Sequence, residues 1–332
     1  GVDVLNQQGG SLELGGTLSV LQSFTQALGG VIDAMENIEI TQTTGPLNVQ
    51  DLSANHVELN ANTGDVQVGD IVSTDGLDIV AGNGNINQAL GTTIVAGGAT
   101  SFEANGSLTI DNAGNDFQGG VSVSAQHATL RDDVGGLELA EIQTIGDLVA
   151  ESKGGAITQV ANNSIAVGGL TDLSAEAAGS AADILLDAGY NDFQGMVHAN
   201  GRDVQLKDNA GDLTLGQIFV NGLLEVVTNR GAIVQDATST IESVGEASFT
   251  ARSAASPADI RLNNANNQFR SLVNVDGRSI EVNDIDGQVD FGQYRSFSQS
   301  NVLRESLSQN VRDTNTRYID ETAEQTTKGT LG

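Results

Sequence analysis

The amino-acid sequence repeats one long unit about three and a half times, and this repeat limits the fold more than any other feature. The pentapeptide Asn115-Asp116-Phe117-Gln118-Gly119 returns as Asn191-Asp192-Phe193-Gln194-Gly195 and, more weakly, as Asn267-Gln268-Phe269. The three phenylalanines are evenly spaced, with a period of 76. A long unit that recurs at a fixed period is typical of solenoids and related repeat architectures.

An earlier copy of the unit lies at a shorter shift of 71. Residues 59–88 align with residues 130–159, so the first copy is five residues shorter than the later ones. The extra residues fall around Ala175–Ala182, where Gly, Ser and Ala predominate. We therefore expect a loop insertion at that place in the later copies.

Short segments within each unit alternate apolar and polar residues. Val121–Val123, Leu137–Leu139 and Ile184–Leu186 are examples, and turn residues such as Gly, Asn or Asp follow such segments. Alternation with a period of two indicates strands, and Gly and Asn tolerate the backbone of sharp corners. Strand starts lie roughly 7 to 11 residues apart, too close for helices between them. The sequence therefore predicts an all-β protein, a right-handed parallel β-helix, in which one repeat unit makes either three or four coils.

Composition supports the β-helix over other β folds. Aromatic residues make up only 4% of the chain, whereas small aliphatic residues and 41 glycines are abundant. A β-sandwich or a propeller usually needs longer strands or aromatic signatures. Both are weaker alternatives.

The two ends depart from this pattern, which predicts three segments. Residues 1–44 are expected to form an N-terminal cap region with an irregular or helical insertion at 16–40, and residues 45–293 the β-helix repeats. Residues 294–332 are expected to form a polar helical tail that acts as a cap or linker, with a disordered end. Leu303, Leu307 and Val311 lie at helical spacing in that tail.

Charge excludes several classes of partner. The formal net charge is −29, and residues 1–130 contain no Lys or Arg. Such a surface repels nucleic acid and anionic membranes. No apolar run approaches the ~20 residues that span a bilayer, and the absence of Cys excludes disulfides. We predict neither nucleic-acid binding nor membrane insertion.

Three histidines suggest a recurring metal site, but the repeat alignment argues against it. His56, His127 and His198 are evenly spaced, as if one site recurred. The alignment matches His127 with Asp203, and His198 with Ser122 instead. We interpret the histidines as surface residues without a common role.

Acidic turns supply weak candidate calcium ligands. Calcium needs six to eight oxygen ligands, and no turn here matches an EF-hand loop. Solvated turns are the preferred interpretation, and no cofactor is expected, with calcium as the alternative. The candidate ligands are Asp111, Asp116, Asp208, Asp212, Asp284 and Asp286.

Catalysis is the least favoured function. Sugar-active sites use paired carboxylates and commonly aromatic platforms. The chain has no Trp and only three Tyr, and its first basic residue is Arg131. We predict no catalytic residues and a protein that is not an enzyme, with a polysaccharide-active β-helix enzyme as a minor alternative.

Residues 45–293 resemble the repeat regions of filamentous haemagglutinin-like exoproteins, the large passengers of two-partner secretion. The phrases that carry the resemblance are Asn191-Asp192-Phe193-Gln194-Gly195, residues 154–159 and residues 212–216. The family's N-terminal secretion domain is not recognisable, so we expect the chain to be part of a longer protein.

The resemblance implies a secreted protein of the bacterial cell surface, exported through an outer-membrane transporter. Its function would be that of an adhesive shaft in attachment, cell aggregation or biofilm cohesion. Its partners would be host or sibling cell-surface ligands or exopolysaccharide. The alternative from another class is an extracellular filament subunit that self-associates end to end.

Overall fold

The computed structural model describes residues 1–297 and the backbone of Arg317 and Tyr318. These residues form strands and turns, with no helix among them, and thus no helix long and apolar enough to cross a membrane. The chain divides into two units, Gly1–Asp183 and Ile184–Gly332. Each is a parallel β-solenoid, and together they hold about 15 turns. The predicted all-β parallel β-helix is confirmed.

The first unit contains 22 strands: Val2–Gln7 (β1), Ser11–Leu14 (β2), Leu18–Gln26 (β3), Val31–Ala34 (β4), Asn37–Gln42 (β5), Leu47–Asn48 (β6), Asp51–Ala61 (β7), Val66–Val68 (β8), Ile71–Ala81 (β9), Ile86–Gln88 (β10), Ile94–Ala96 (β11), Thr100–Ala104 (β12), Leu108–Ile110 (β13), Asp116–Phe117 (β14), Val121–Ala125 (β15), Ala128–Asp132 (β16), Leu137–Thr144 (β17), Leu148–Ser152 (β18), Ile157–Gln159 (β19), Ile165–Val167 (β20), Thr171–Ala177 (β21) and Ser180–Ala181 (β22).

The described part of the second unit contains Ile184–Leu186 (β23), Asp192–Phe193 (β24), Met196–Gly201 (β25), Val204–Asp208 (β26), Leu213–Val220 (β27), Leu224–Thr228 (β28), Ile233–Gln235 (β29), Ile241–Ser243 (β30), Ala247–Ser253 (β31), Ser256–Pro257 (β32), Ile260–Leu262 (β33), Gln268–Phe269 (β34), Val273–Gly277 (β35), Ile280–Val282 (β36), Phe291–Ser296 (β37) and Arg317–Tyr318 (β38).

Strands of successive turns stack in parallel register to form columns. In the first unit Val57 pairs with Leu77, Leu77 with Thr100, and Thr100 with Val121. The number of residues between stacked positions therefore varies from turn to turn. One repeat unit is thus divided neither into three equal turns nor into four, the two possibilities that the sequence leaves open. A second column runs through β8, β10, β13, β16 and β18, and a third through β4, the start of β7, the start of β9, β11 and β14.

The repeat does not contain a whole number of turns. Three turns carry the chain from Val57 to Val121 in one column. The residue equivalent to Val57 in the next copy is Ala128, which lies one strand further on, in the column of Leu108 and Leu148. Each copy in this unit therefore advances by three turns and one column.

The second unit shows the same relation. Val204 stacks through Leu224 and Ala247 to Val273, three turns later. Its equivalent one copy on is Ile280, which stacks on Ile260 in a different column. Equivalent positions of the repeat therefore lie inside different columns.

The core is formed by the inward positions of the alternating strands. Leu59, Leu130 and Leu206 occupy one position in three copies and are all buried. A buried leucine contributes about 1.5–3 kcal/mol relative to an exposed one. Because every turn adds a similar set, many small aliphatic side chains replace the few large ones of a globular core.

Glycines allow the turns to approach closely at one corner of the first unit. A Cβ at Gly64 would lie 2.8 Å from the carbonyl carbon of Gly45, and a Cβ at Gly84 would overlap the carbonyl of Gly64. The next glycine in this stack, Gly106, donates its N–H to the Gly84 carbonyl at 2.9 Å. The corner leaves no room for a side chain at Gly84.

The predicted insertion is a short hairpin in both later copies. Strands β21 and β22 pair antiparallel, as do β31 and β32, whereas the stacked strands of successive turns pair in parallel. The hairpin tips place Ala178 at φ 50° and Ala254, its equivalent, at φ 55°. Both alanines thus adopt the left-handed conformation that favours glycine.

Replacing the tip alanine by glycine should stabilise the second unit. A left-handed backbone costs an alanine roughly 1–2 kcal/mol, and glycine avoids this cost. About half of the stability so gained is lost again, because glycine has more conformational freedom in the unfolded chain. We expect Ala254→Gly to raise the free energy of unfolding by about 0.5–1 kcal/mol, measured by chemical denaturation. Ala255→Gly, next to it at ordinary φ, is the control, and a gain there of the same size would contradict the explanation.

Two buried hydroxyls of the first unit should be dispensable. Thr100 and Thr171 occupy equivalent inward positions, both 1% exposed, and neither hydroxyl has a hydrogen-bond partner among the described residues. The third copy has Ala247 there. We expect Thr171→Val to stabilise by about 1 kcal/mol, because a buried hydroxyl without a partner costs this much. A loss of stability in thermal unfolding would show that the hydroxyl is bonded.

The helical or irregular insertion predicted within residues 16–40 is wrong. Strands β3, β4 and β5 occupy this stretch and pair in parallel with the first strands and with β7. The apolar residues at helical spacing include Leu21 and Leu28, which are exposed, while Val20 and Phe24 are buried. Burial in the stacked turns decides the structure against local spacing.

The prediction that a helical tail starts at Tyr294 is wrong for the first residues of that tail. Strand β37 continues to Ser296, with Tyr294 paired to Val275. Arg317 and Tyr318 form a strand parallel to β37 rather than a helix. The rest of that tail, including Leu303, Leu307 and Val311, lies outside the described residues.

Candidate functional site

The most regular polar feature is a buried cluster that the repeated Asn-Asp-Phe motif helps to form. We call the set Gln88, Asn115 and Asp132 in the first unit, with Gln235, Asn267 and Asp284 in the second, the polar clasp. Its asparagines and aspartates are 0–8% exposed. Buried polar groups are costly unless they are hydrogen-bonded, so their partners define what the clasp does.

The amide pair of the clasp joins different turns. Gln88 Nε2 donates to Asn115 Oδ1 at 2.7 Å, and Asn115 Nδ2 donates back to Gln88 Oε1 at 3.0 Å. The same Asn115 oxygen accepts the N–H of Ile94 at 3.0 Å. In the second unit Gln235 and Asn267 repeat the reciprocal pair at 2.6 and 2.8 Å.

The aspartate of the clasp accepts backbone N–H groups on both of its oxygens. Asp132 accepts from Phe117 at 2.8 Å and from Val134 at 2.9 Å. Its equivalent two copies further on, Asp284, accepts from Phe269 at 2.7 Å and from Asp286 at 2.9 Å. The carboxylate therefore fixes the backbone of the motif to its own strand.

The middle copy repeats the aspartate of the clasp. Asp208 accepts from the backbone N–H groups of Phe193 and Gly211, both at 3.2 Å. Asn191 is fully buried and donates to the carbonyl of Leu186 at 3.3 Å. The buried Asp thus recurs at one position in three successive copies, whereas the copy before them has Ala61 there.

Burial raises the pKa of two of these carboxyl groups. Burial raises the pKa of Asp132 to about 6, against the lowering effect of its two backbone hydrogen bonds and with a smaller contribution from nearby Asp116 and Asp133. Burial likewise raises the pKa of Asp208. Both oxygens of each of these two carboxyl groups accept hydrogen bonds from backbone N–H groups, so the arrangement is suited to holding turns together.

The structure separates the six candidate calcium ligands. Asp208 and Asp284 are buried in the clasp, whereas Asp111, Asp212 and Asp286 are exposed. Asp116 is half-buried and accepts from the Gln118 side chain at 2.8 Å. Within the described residues, no three His, Asp or Glu side chains gather into a metal-binding group.

The clasp is not apparent from the sequence when the acidic turns are grouped by composition alone. The repeat period aligns Asp132 with Asp208 and Asp284, and aligns Asp116 with Asp192. Asp132 is therefore absent from the candidate ligands, although the repeat itself carries the signal.

The three histidines each lie over a glycine of the neighbouring turn. A Cβ at Gly76 would stand 2.9 Å from His56 Nδ1, and Gly146 and Gly216 are covered in the same way by His127 and His198. The ring therefore fills the space that the missing side chain leaves.

The predicted equivalence of His127 and Asp203 is visible in their hydrogen bonds. His127 Nδ1 accepts the N–H of Asp147 at 3.0 Å, and Asp203 Oδ1 accepts the N–H of Leu223 at 2.8 Å. The two acceptors serve equivalent corners in successive copies, which is a structural role.

A polar groove lies on the outer face of β16, β18 and β21 in the first unit. Its lining includes Asp111, Thr129, Arg131, Glu151 and Asp172. Arg131 is held by Asp133 at 2.7 Å and contacts Glu151 at 3.4 Å. The Arg131–Glu151 pair links neighbouring turns and contributes modestly, because exposed pairs are worth about 0–1 kcal/mol.

Outward positions change in charge between copies, whereas inward positions such as Leu59, Leu130 and Leu206 stay buried and apolar. The outward residue next to the recurring leucine is Glu58 in the first copy, Thr129 in the second and Gln205 in the third. One turn later the equivalents are Asp78, Val149 and Glu225. The copies thus share a core and differ in surface chemistry.

Comparison with known protein families finds three consecutive DUF5649 repeats, described as repeats of unknown function, at residues 54–124, 125–200 and 201–276. These bounds reproduce the shorter first shift and the longer second one that the sequence shows. Searches of curated proteins and of solved structures found no match. Since the three matched segments cover more than half of the chain, the protein belongs to the DUF5649 family of repeats.

Proposed function

We propose that this chain is a structural and adhesive repeat region of a secreted bacterial surface protein. The observation that carries the proposal is the contrast between copies: inward positions stay buried and mostly aliphatic, and the aspartate of the clasp recurs in the later copies, while outward residues change in charge and size. A catalytic or ligand site shared by all copies would keep its outward residues. A scaffold needs only its core to recur.

The resemblance to filamentous haemagglutinin-like exoproteins supports the adhesive part of this proposal. The acidic surface is consistent with it, because a net charge of −29 keeps a long exposed protein soluble and repels polyanions. The partners would be cell-surface ligands or exopolysaccharide, and export would use an outer-membrane transporter.

Attachment can be measured directly with beads that carry the folded chain. We expect such beads to bind bacterial or epithelial cells above the level of beads that carry the heat-unfolded chain or an unrelated acidic protein of matched charge. Equal binding by all three kinds of bead would overturn the proposal.

Two further measurements separate the alternatives. Concentration-dependent fibres in analytical sedimentation and negative-stain images, without cell attachment, would favour a filament subunit. Release of reducing sugar from a polysaccharide panel, lost on substitution of clustered carboxylates, would favour an enzyme.

A further inference from the structure

The two units differ sharply in how their surface charge is compensated. Residues 1–183 contain 23 Asp and Glu but only two Lys and Arg, a net charge of −21. Residues 184–332 contain 20 and 12, a net charge of −8. In the second unit, acidic residues such as Asp259 and Asp276 have arginine partners.

The first unit stacks like charges directly on neighbouring turns. Glu39 on β5 pairs in register with Glu58 on β7, and Glu58 with Asp78 on β9. The flanking positions of this column are Ser19 and Ser101, so no cation continues the row. Carboxylates directly opposite each other in a sheet repel and destabilise the pairing.

A histidine stands at one end of this row. His56 Nε2 lies 3.1 Å from Asp78 Oδ2. This contact joins β7 to β9 beside the row.

A second pair of carboxyl groups meets on another column of the same turns. Asp51 is hydrogen-bonded to Asp70, which accepts the N–H and hydroxyl of Thr93 at 2.7 and 3.1 Å. The other neighbours of Asp51 are Val31, paired with it on β4, and Asp33 two residues further on. Burial, then the charge of Asp70 and a hydrogen bond to it, raise the pKa of Asp51.

We propose that residues 31–104 form a charge-responsive clamp, in which repulsion within the stacked row and the Asp51–Asp70 pair loosens the turns, and salt or a proton on that pair lets them tighten. The sign follows from linkage. A carboxyl group whose pKa is raised in the folded state stabilises the fold fully at low pH, and this contribution is lost as pH rises through the folded-state pKa. Salt acts in the same direction, because it shortens the range of the repulsion.

Amide hydrogen exchange of the full chain, read by mass spectrometry and corrected for the chemical exchange rate, tests the clamp. On going from low salt to about 0.5 M sodium chloride at pH 7.5, we expect protection in residues 31–104 to rise roughly threefold. Residues 204–296 should respond less, and lowering the pH to 5 at low salt should raise protection around Asp51, whose pKa is raised. Equal responses in the two segments would overturn the proposal.

Two substitutions separate the stacked row from net charge. Glu58→Gln removes the central carboxylate and should raise protection at pH 7.5 while weakening the response of protection to salt. Glu103→Gln removes the same charge from an exposed position opposite Val80 and Ser124, and should leave both nearly unchanged. Identical effects of the two variants would show that only total charge matters, contrary to the clamp.

Discussion

Gly84→Ala should destabilise the first unit by about 3 kcal/mol or more. The new methyl group would overlap backbone atoms of Gly64 and Asp65, which cannot rotate away as a side chain could. Neighbouring turns would have to separate, and this would break the parallel hydrogen bonds on either side of the corner. Chemical denaturation followed by far-ultraviolet circular dichroism measures the loss.

Gly15→Ala is the matched control for this effect. Gly15 lies in the same unit, has ordinary φ and has no atom within 4 Å of the position that a Cβ would take. The two variants add the same methyl group, so they differ only in the space around it. If they lost equal stability, close packing of the corner would not explain the glycine.

Asp132→Ala should cost about 2–4 kcal/mol at pH 7. The substitution leaves the buried N–H of Phe117 and the part-buried N–H of Val134 without an acceptor, and a buried group without a partner costs about 1–3 kcal/mol. Asp111→Ala removes an exposed carboxylate from the same unit and should change stability little. A neutral result for Asp132→Ala would mean that the clasp does not hold the turns.

The pH dependence of this loss has a definite sign. Because the pKa of Asp132 is raised to about 6, its proton stabilises the fold fully below the unfolded-state pKa, and this contribution is lost as pH rises through 6. The gap between the wild type and Asp132→Ala should therefore widen by about 1 kcal/mol between pH 7 and pH 5. Parallel denaturation curves at the two pH values measure it, and a gap that narrows would contradict the raised pKa.

The sequence is sufficient to predict the repeat, the strands and the place of the insertion, because each leaves a local pattern. Alternation such as Leu137–Leu139 reports which side chains point inward. The difference in length between copies reports where the hairpin at Ala178 and Ala254 enters. These features depend on neighbours along the chain.

The remaining features depend on which turns become neighbours. Gln88 and Asn115 are far apart in the sequence and meet only because of the turn length, which alternation does not reveal. The apolar spacing at Leu21 and Leu28 suggests a helix, because nothing local shows that β3 stacks between β1 and β5. A repeat period fixes equivalent positions, but not the column in which each lies.

Because each copy advances by one column, successive copies present equivalent residues on different columns of the solenoid. Val57 and Ala128 are equivalent, yet they occupy different columns of the first unit. A duplication or deletion of one whole copy would keep the interior compatible, since each column accepts each copy. The surface beyond the change would then point in a new direction. The number of copies in a chain of this family would thus set the direction in which an exposed residue points around the solenoid axis, as well as its distance along the chain.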